Sequence, residues 1–297
     1  MVGLALTAVG ISLVLQTTSL GSQDPSEAVV DEVVVTGLRD RAVERFVESL
    51  TQPGRRGRFS GQVARWGRPV CVDVVGSTAE VGQTLKAAVE DSIRSLDIPT
   101  GPAGCATNSL VVISDDADAF AQGFAHRFRV RLFENRREAI DLFVGPSRAV
   151  RWHHKTRLAG TGRGASVDTL SGASGAMGGQ LPDTRLRMST AAHIDAAVVV
   201  VDRSRLQYAS TEALVAYLAF VIVLDLPSAP EGIGPDTILN LFGDMTTPAP
   251  DTLTPRDRAF VRAVYRSRTD QRFSVQQADI AATLRRARTV TEQTSDQ

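Results

Sequence analysis

The sequence predicts an α+β fold: a mixed sheet with an N-terminal βαβ unit, a long hairpin, a buried central helix and C-terminal helices. Three observations carry this reading. Two short apolar runs, PVCVDVV and SLVVIS, flank a segment whose apolar residues recur at helical spacing. Two longer β-like stretches, 150–158 and 186–201, flank a region rich in Gly, Ala and Ser. Finally, every residue from 213 to 224 is apolar, Ala or Tyr, and a helix apolar on all sides must be enclosed by the fold.

Composition bounds what such a chain can be. Its 297 residues are 43% hydrophobic and 22% charged, values of a folded protein with one large domain or two small ones. Lys+Arg and Asp+Glu both number 33, so no net charge draws the chain to nucleic acid, and no nucleic-acid partner is expected. Lys86 and Lys155 are the lysines; the Arg excess reads as coding bias.

The first element is a targeting segment. Residues 2–15 are apolar, Gly or small hydroxyl residues, a run shorter than the roughly 20 residues of a spanning helix. The polar stretch QTTSLGSQDP follows, with Ser19 and Gly21 as small residues for the −3 and −1 sites of a signal peptidase. We therefore expect a signal peptide over 1–21, a periplasmic or secreted protein, and no stable transmembrane span after processing. No Cys follows the run, which argues against a lipoprotein anchor. Residues 22–60 read as a short strand turned by Gly37, a helix over 38–50 and the linker TQPGRRGRFSG, leading into a single domain at 61–290 and a frayed tail at 291–297. Within this segment EVVVTG resembles the opening of many outer-membrane receptor plugs.

In the βαβ unit, Val81, Leu85, Val89, Ile93 and Leu96 line one helix face, and Ser77 with Glu80 forms a capping-box pattern at its start. Strand, helix and strand in this order predict a parallel pair with a right-handed crossover. Cys71 opens the first strand and Cys105 precedes the second, so both lie at one end of the pair. In an exported chain with two cysteines a disulfide is the default, and two thiols alone supply half a zinc ligand set.

Asp115, Asp116 and Asp118 follow the second strand, where carboxylates can hold a metal but also suit the N-terminus of the helix ADAFAQGFAHRFRVRLF; we favour capping. His126 in that helix reads as a packed histidine, and Arg136, Arg137 and Glu138 as a solvated face. His153 and His154 are neighbours in a strand, so they point to opposite faces and cannot easily share one metal, though one could line a cleft. GTGRG at the start of the glycine-rich stretch lacks the strand-to-helix context and the Lys-Ser/Thr pair of a phosphate loop, and reads as a hairpin connection.

His193 and Asp195 make an H-x-D on one strand face, a candidate for two metal ligands. AAVVVV beyond it is a buried strand with a polar exit at 202–205. Ser210 caps the central helix, whose core positions are Leu214, Tyr217, Leu218 and Val221. GIGPDTILNLF follows as a turn and short helix. Thr254, Pro255 and Asp257 give a strong helix start, and Ser274 to Gln277 a capping box for a last helix reaching about Arg288.

The segments ARWGRPVCVDVVG, SLVVISDD, RAVRWHH, VVVVDRSRL, ALVAYLAFVIV, DTILNLF and LTPRDRAFVRAVYR together resemble uncharacterised exported proteins of Gram-negative bacteria. These are similar to a domain-of-unknown-function family with a zincin-like metalloprotease layout, over roughly 65–286. That resemblance implies a helix carrying H-E-x-x-H after the buried strand. Here that helix offers Leu214, Val215, Ala216, Tyr217 and Leu218, and no histidine follows His193. The resemblance thus implies a non-catalytic descendant with no catalytic residue; with the signal sequence and the expected disulfide, this leads to the expectation of an exported non-enzymatic protein without a cofactor that binds an envelope partner or supports its assembly. The competing reading is a metal-dependent hydrolase with a site built from His153, His154 and His193, which requires at least two of them to converge. A serine hydrolase is disfavoured, since there is no G-x-S-x-G elbow and Ser204 lies between two arginines.

Overall fold

The computed structural model describes residues 40–52, 61–160, 187–207, 209–243 and 249–295. The expected signal peptide, the EVVVTG stretch and nearly all of the glycine-rich connection lie outside the described residues. Among the described residues the architecture is mixed α/β, with seven α-helices packed on a five-stranded sheet. The strands are β1 (Arg65–Trp66), β2 (Val72–Val75), β3 (Ser109–Ser114), β4 (Val150–Gly160) and β5 (Thr190–Asp202). The helices are α1 (40–50), α2 (Ala79–Arg94), α3 (Ala117–Arg127), α4 (Arg137–Val144), α5 (Thr211–Val223), α6 (Pro255–Arg266) and α7 (Phe273–Ser295).

β2, α2 and β3 form the expected βαβ unit, with Val72 opposite Ser109 and Val75 opposite Val112. β3 pairs parallel with β5, β1 adds two residues to β5 nearby, and β4 runs antiparallel to β5 along its whole length. This last pair is the predicted hairpin. Its register contains one irregularity: Lys155 faces Ala196 but Thr156 faces Ile194, leaving Asp195 as the extra residue of a β-bulge. The bulge reverses the alternation along β5. Ala192 and Ile194 before it and Ala197, Val199 and Val201 after it therefore share one core.

That core lies on one face of the sheet under five helices. Phe46 and Leu50 of α1, Val89 and Ile93 of α2, most of α5, Phe260 and Val264 of α6, and Ile280 and Leu284 of α7 meet there. Helix α1 is thus a component of the core of the domain that the sequence placed at 61 onwards. The opposite face carries a smaller core in which Ala121 and Ala125 of α3, Phe143 of α4 and Phe133 cover Val112, Val198 and Val200.

α5 fulfils its prediction: Leu214, Tyr217, Leu218 and Val221 are all buried, and Ser210 caps the helix by accepting from the Ala213 amide at 3.1 Å. A buried helix end needs donors for its last carbonyls. Trp66 Nε1 supplies one to Ile222 at 2.8 Å and the Tyr265 hydroxyl one to Val223 at 2.9 Å, while Trp152 Nε1 donates to Leu226 at 3.3 Å just beyond. Burial raises the phenol pKa of Tyr265 and of Tyr217, keeping both neutral, Tyr265 as the donor to Val223.

Several local expectations change. Thr78, not Ser77, caps α2, because its side chain is the one that reaches the Val81 amide. α3 ends at Arg127, and 128–135 continues as irregular turns closed by Glu134 and Asn135 at positive φ (52° and 58°). The Thr254–Asp257 capping box is present in full at α6. α7 starts at Phe273 and runs to Ser295, past the expected end near 288 and into the tail expected to fray. Gln276, placed in a capping box by sequence, instead accepts from the Val63 amide at 2.7 Å and donates to the Arg268 carbonyl at 2.7 Å. Buried Gln62 stitches the same corner, donating to the Thr190 and Thr269 carbonyls at 2.8 and 2.6 Å.

Candidate functional site

The cysteines are joined as expected, Cys71 to Cys105 with Cα atoms 6.1 Å apart, at the amino ends of β2 and β3. The bridge closes on Gly101, where any side chain would collide with Cys105 Sγ. At the carboxyl ends of the parallel strands, where open α/β sheets usually take ligands, Arg203 donates to the Gly76 carbonyl beyond β2 and pairs with Asp115 beyond β3.

The four histidines do not meet there. His153 and His154 occupy opposite faces of β4, as the strand period requires. His153 stacks on Phe133 with ring centroids 4.3 Å apart, and its Nε2 donates to the Leu132 carbonyl at 3.2 Å. His154 lies on the large-core face with Nδ1 3.9 Å from Asp225 Oδ1, a carboxylate that also accepts from Gln52 Nε2 at 3.1 Å. Both histidines are buried. His126 departs from its expected packed state and is exposed in the last turn of α3.

His193 sits at the far end of the hairpin, directly opposite Arg157 on β4. Its ring lies so close to Gly67 that a Cβ at that position would strike Nδ1. Burial, with the charges of Arg157 and Arg65, pushes the imidazole below its ordinary value. Asp195, two residues on, is ringed by cations: Arg157 Nε at 3.2 Å, Arg68 at 3.8 Å and Lys155 at 3.9 Å. The neutral imidazole is the form a metal would need, but the carboxylate of the H-x-D pair is already engaged by three cations, which compete with a metal for it. Among the described residues no group of three or more His, Cys, Asp or Glu side chains is placed to hold a metal.

The carboxylates after β3 divide their labour. Asp116 caps α3 by accepting from the Ala119 amide at 2.9 Å, as favoured from sequence. Asp118 binds the buried guanidinium of Arg151, and bonds from Ser147 and Arg151 hold its carboxyl below the usual range. Arg151 also donates to the Phe143 and Val144 carbonyls at 3.3 Å each, closing the end of α4. Asp115 pairs with Arg203 at 3.4 Å. Ser204 donates its hydroxyl to Asp202 Oδ1 at 2.6 Å, making it a turn residue and not a base-activated nucleophile.

A cleft of about 320 Å³ opens elsewhere, between α2, the start of α5 and the segment before α6. Ser92, Ser95, Thr211, Glu212, Thr252 and Arg258 supply its polar lining, and Arg258 donates to Ser95 Oγ at 3.3 Å. Glu212 has no imidazole or second carboxylate among the lining residues, so the cleft offers hydrogen bonds without an acid–base pair. Sequence reading missed this cleft, the Asp225 partner of His154 and the cations around Asp195. The last of these was readable only from strand register, and the bulge that sets the register leaves no composition signal. No protein-family model, curated protein or solved structure matches the chain.

Proposed function

We propose that the protein is a non-catalytic binding or assembly protein of an extracytoplasmic bacterial compartment, built on a degenerate metalloprotease-like scaffold. The observation that carries this reading is the commitment of the polar residues a hydrolase would use. His153 is spent on stacking and on a backbone carbonyl, and His154 is buried on the other face of the same strand beside Asp225. α5, the helix that a zincin-like layout would arm, buries Leu214, Tyr217 and Leu218 in the core. The Cys71–Cys105 bridge supports an oxidising compartment, in keeping with the signal-peptide pattern.

Metal analysis of the processed, oxidised protein tests the proposal. The expected result is no stoichiometric zinc, with His153→Ala altering stability and His193→Ala leaving metal content unchanged. Stoichiometric zinc that is lost on either substitution, together with metal-dependent cleavage of a peptide substrate, would overturn it.

A further inference from the structure

We infer that the turn following α3 is a docking surface for a bilayer carrying anionic phosphodiester headgroups. The sequence there, HRFRVRLF over 126–133, interleaves three arginines with apolar residues. After α3 ends, the Leu132 amide still bonds the Phe128 carbonyl (2.9 Å) and the Glu134 amide the Val130 carbonyl (3.2 Å). Bonds of i to i+4 span thus recur within the irregular turns, and they hold Arg127, Arg129, Val130 and Arg131 in one short exposed stretch. Arg127, Arg129 and Arg131 are all exposed, and among the described residues none has a carboxylate partner. Glu134, the nearest acid in sequence, is occupied by Arg136 at 3.7 Å.

The apolar component has an unusual position. Val130 is 69% exposed, more than any other exposed large hydrophobic residue described. Two residues earlier, the half-buried Phe128 ring packs on Phe124 (4.6 Å between centroids), which packs on Phe120 (5.7 Å). An exposed apolar residue thus lies between exposed arginines in the chain, two residues past the end of an aromatic cluster. Guanidinium groups bind phosphate oxygens in two-point geometry, and an apolar residue between them gains by entering the acyl boundary. A soluble polyanion would satisfy the arginines but leave Val130 in water, which favours the bilayer. With 33 cations and 33 anions in the whole chain, the attraction is local to this turn. The inference goes beyond the binding-protein reading and does not depend on it, because a hydrolase could dock in the same way.

The test is co-sedimentation of the full oxidised protein with vesicles of phosphatidylglycerol and phosphatidylcholine, against vesicles of phosphatidylcholine alone. Binding is expected to the anionic vesicles only. Arg127→Gln/Arg129→Gln/Arg131→Gln is expected to lower the partition coefficient by at least about tenfold, and Val130→Ser by roughly threefold, each with an unchanged thermal melt. Equal binding to both vesicle types, or undiminished binding by the triple variant, would overturn the inference. So would a Val130→Ser variant that binds fully while heparin competes the wild type off the vesicles, which assigns the turn to a soluble polyanion. Stoichiometric zinc lost on His153→Ala or His193→Ala, with metal-dependent peptide cleavage, would defeat the reading of the previous subsection and leave this result untouched.

Discussion

Five helices cover one face of the sheet and two short ones the other, and the two faces solve the burial of a strand differently. On the large face, β3 and β5 present Val111, Ile113, Val199 and Val201 to aliphatic and aromatic side chains. On the small face, β4 presents Arg151 and His153, and both reach for carbonyls: Arg151 those of Phe143 and Val144, His153 that of Leu132. A thin layer of helix leaves backbone ends close to the sheet. Long polar side chains can satisfy those ends and fill the space at once, where an aliphatic residue would leave buried carbonyls unpaired. Buried polarity on this sheet is therefore a packing device.

Matched truncations should expose the contrast most strongly. Phe220→Ala in α5 is expected to cost about 3–5 kcal/mol, since its cavity is walled on all sides. Phe133→Ala, equally buried, is expected to cost nearer 3 kcal/mol, roughly the bottom of that range, because the turn beneath it can settle toward His153. Urea unfolding followed by far-ultraviolet circular dichroism measures both; a Phe133 penalty equal to or above that of Phe220 would erase the distinction.

The bridge ties neither face to the other but closes the edge of the sheet. Replacing Cys71 and Cys105 by Ala is expected to lower stability by roughly 3–4 kcal/mol, the loop-entropy value for a separation of 34 residues. A loss below about 1 kcal/mol in the same unfolding assay would mean that the denatured chain is already constrained there.

The smallest effect belongs to the open end of the hairpin. The His193 imidazole is held below its ordinary value of 6.5 by burial, Arg157 and Arg65, so the unfolded chain binds the proton more readily than the folded one. Stability attached to this group is present above pH 6.5 and is lost as pH falls toward the lowered folded value. His193→Gln should remove that part of the acid loss, visible as a difference between the two stability profiles that vanishes above neutrality. Identical profiles would place the protonated imidazole in water.

Much of this fold was legible in the sequence because one kind of pattern carried it. Alternation and helical spacing identified the βαβ unit, the hairpin and α5, and the side-chain chemistry of Ser210 and Thr254 marked two helix starts correctly. The same local logic failed where tertiary partners outbid it: Gln276 abandoned its capping box to bond Val63, and Thr78 displaced Ser77 by reaching the amide first. The site was less legible. The opposed faces of His153 and His154 followed from the strand period, but what each side chain meets depends on Phe133 and Asp225, 20 and 71 positions away in the chain. H-x-D looked like a metal arm because sequence shows neither the extra residue at Asp195 nor the cations that the hairpin brings to it.

The two tryptophans of the chain, Trp66 and Trp152, both lie in the large core and both send Nε1 to carbonyls at or just past the end of α5. Intrinsic fluorescence is consequently a single-site optical probe: its emission reports whether that helix end is seated and is blind to the phenylalanine cluster under α3 and α4. A melt followed by tryptophan emission would read as one clean transition even if the small face had already come loose.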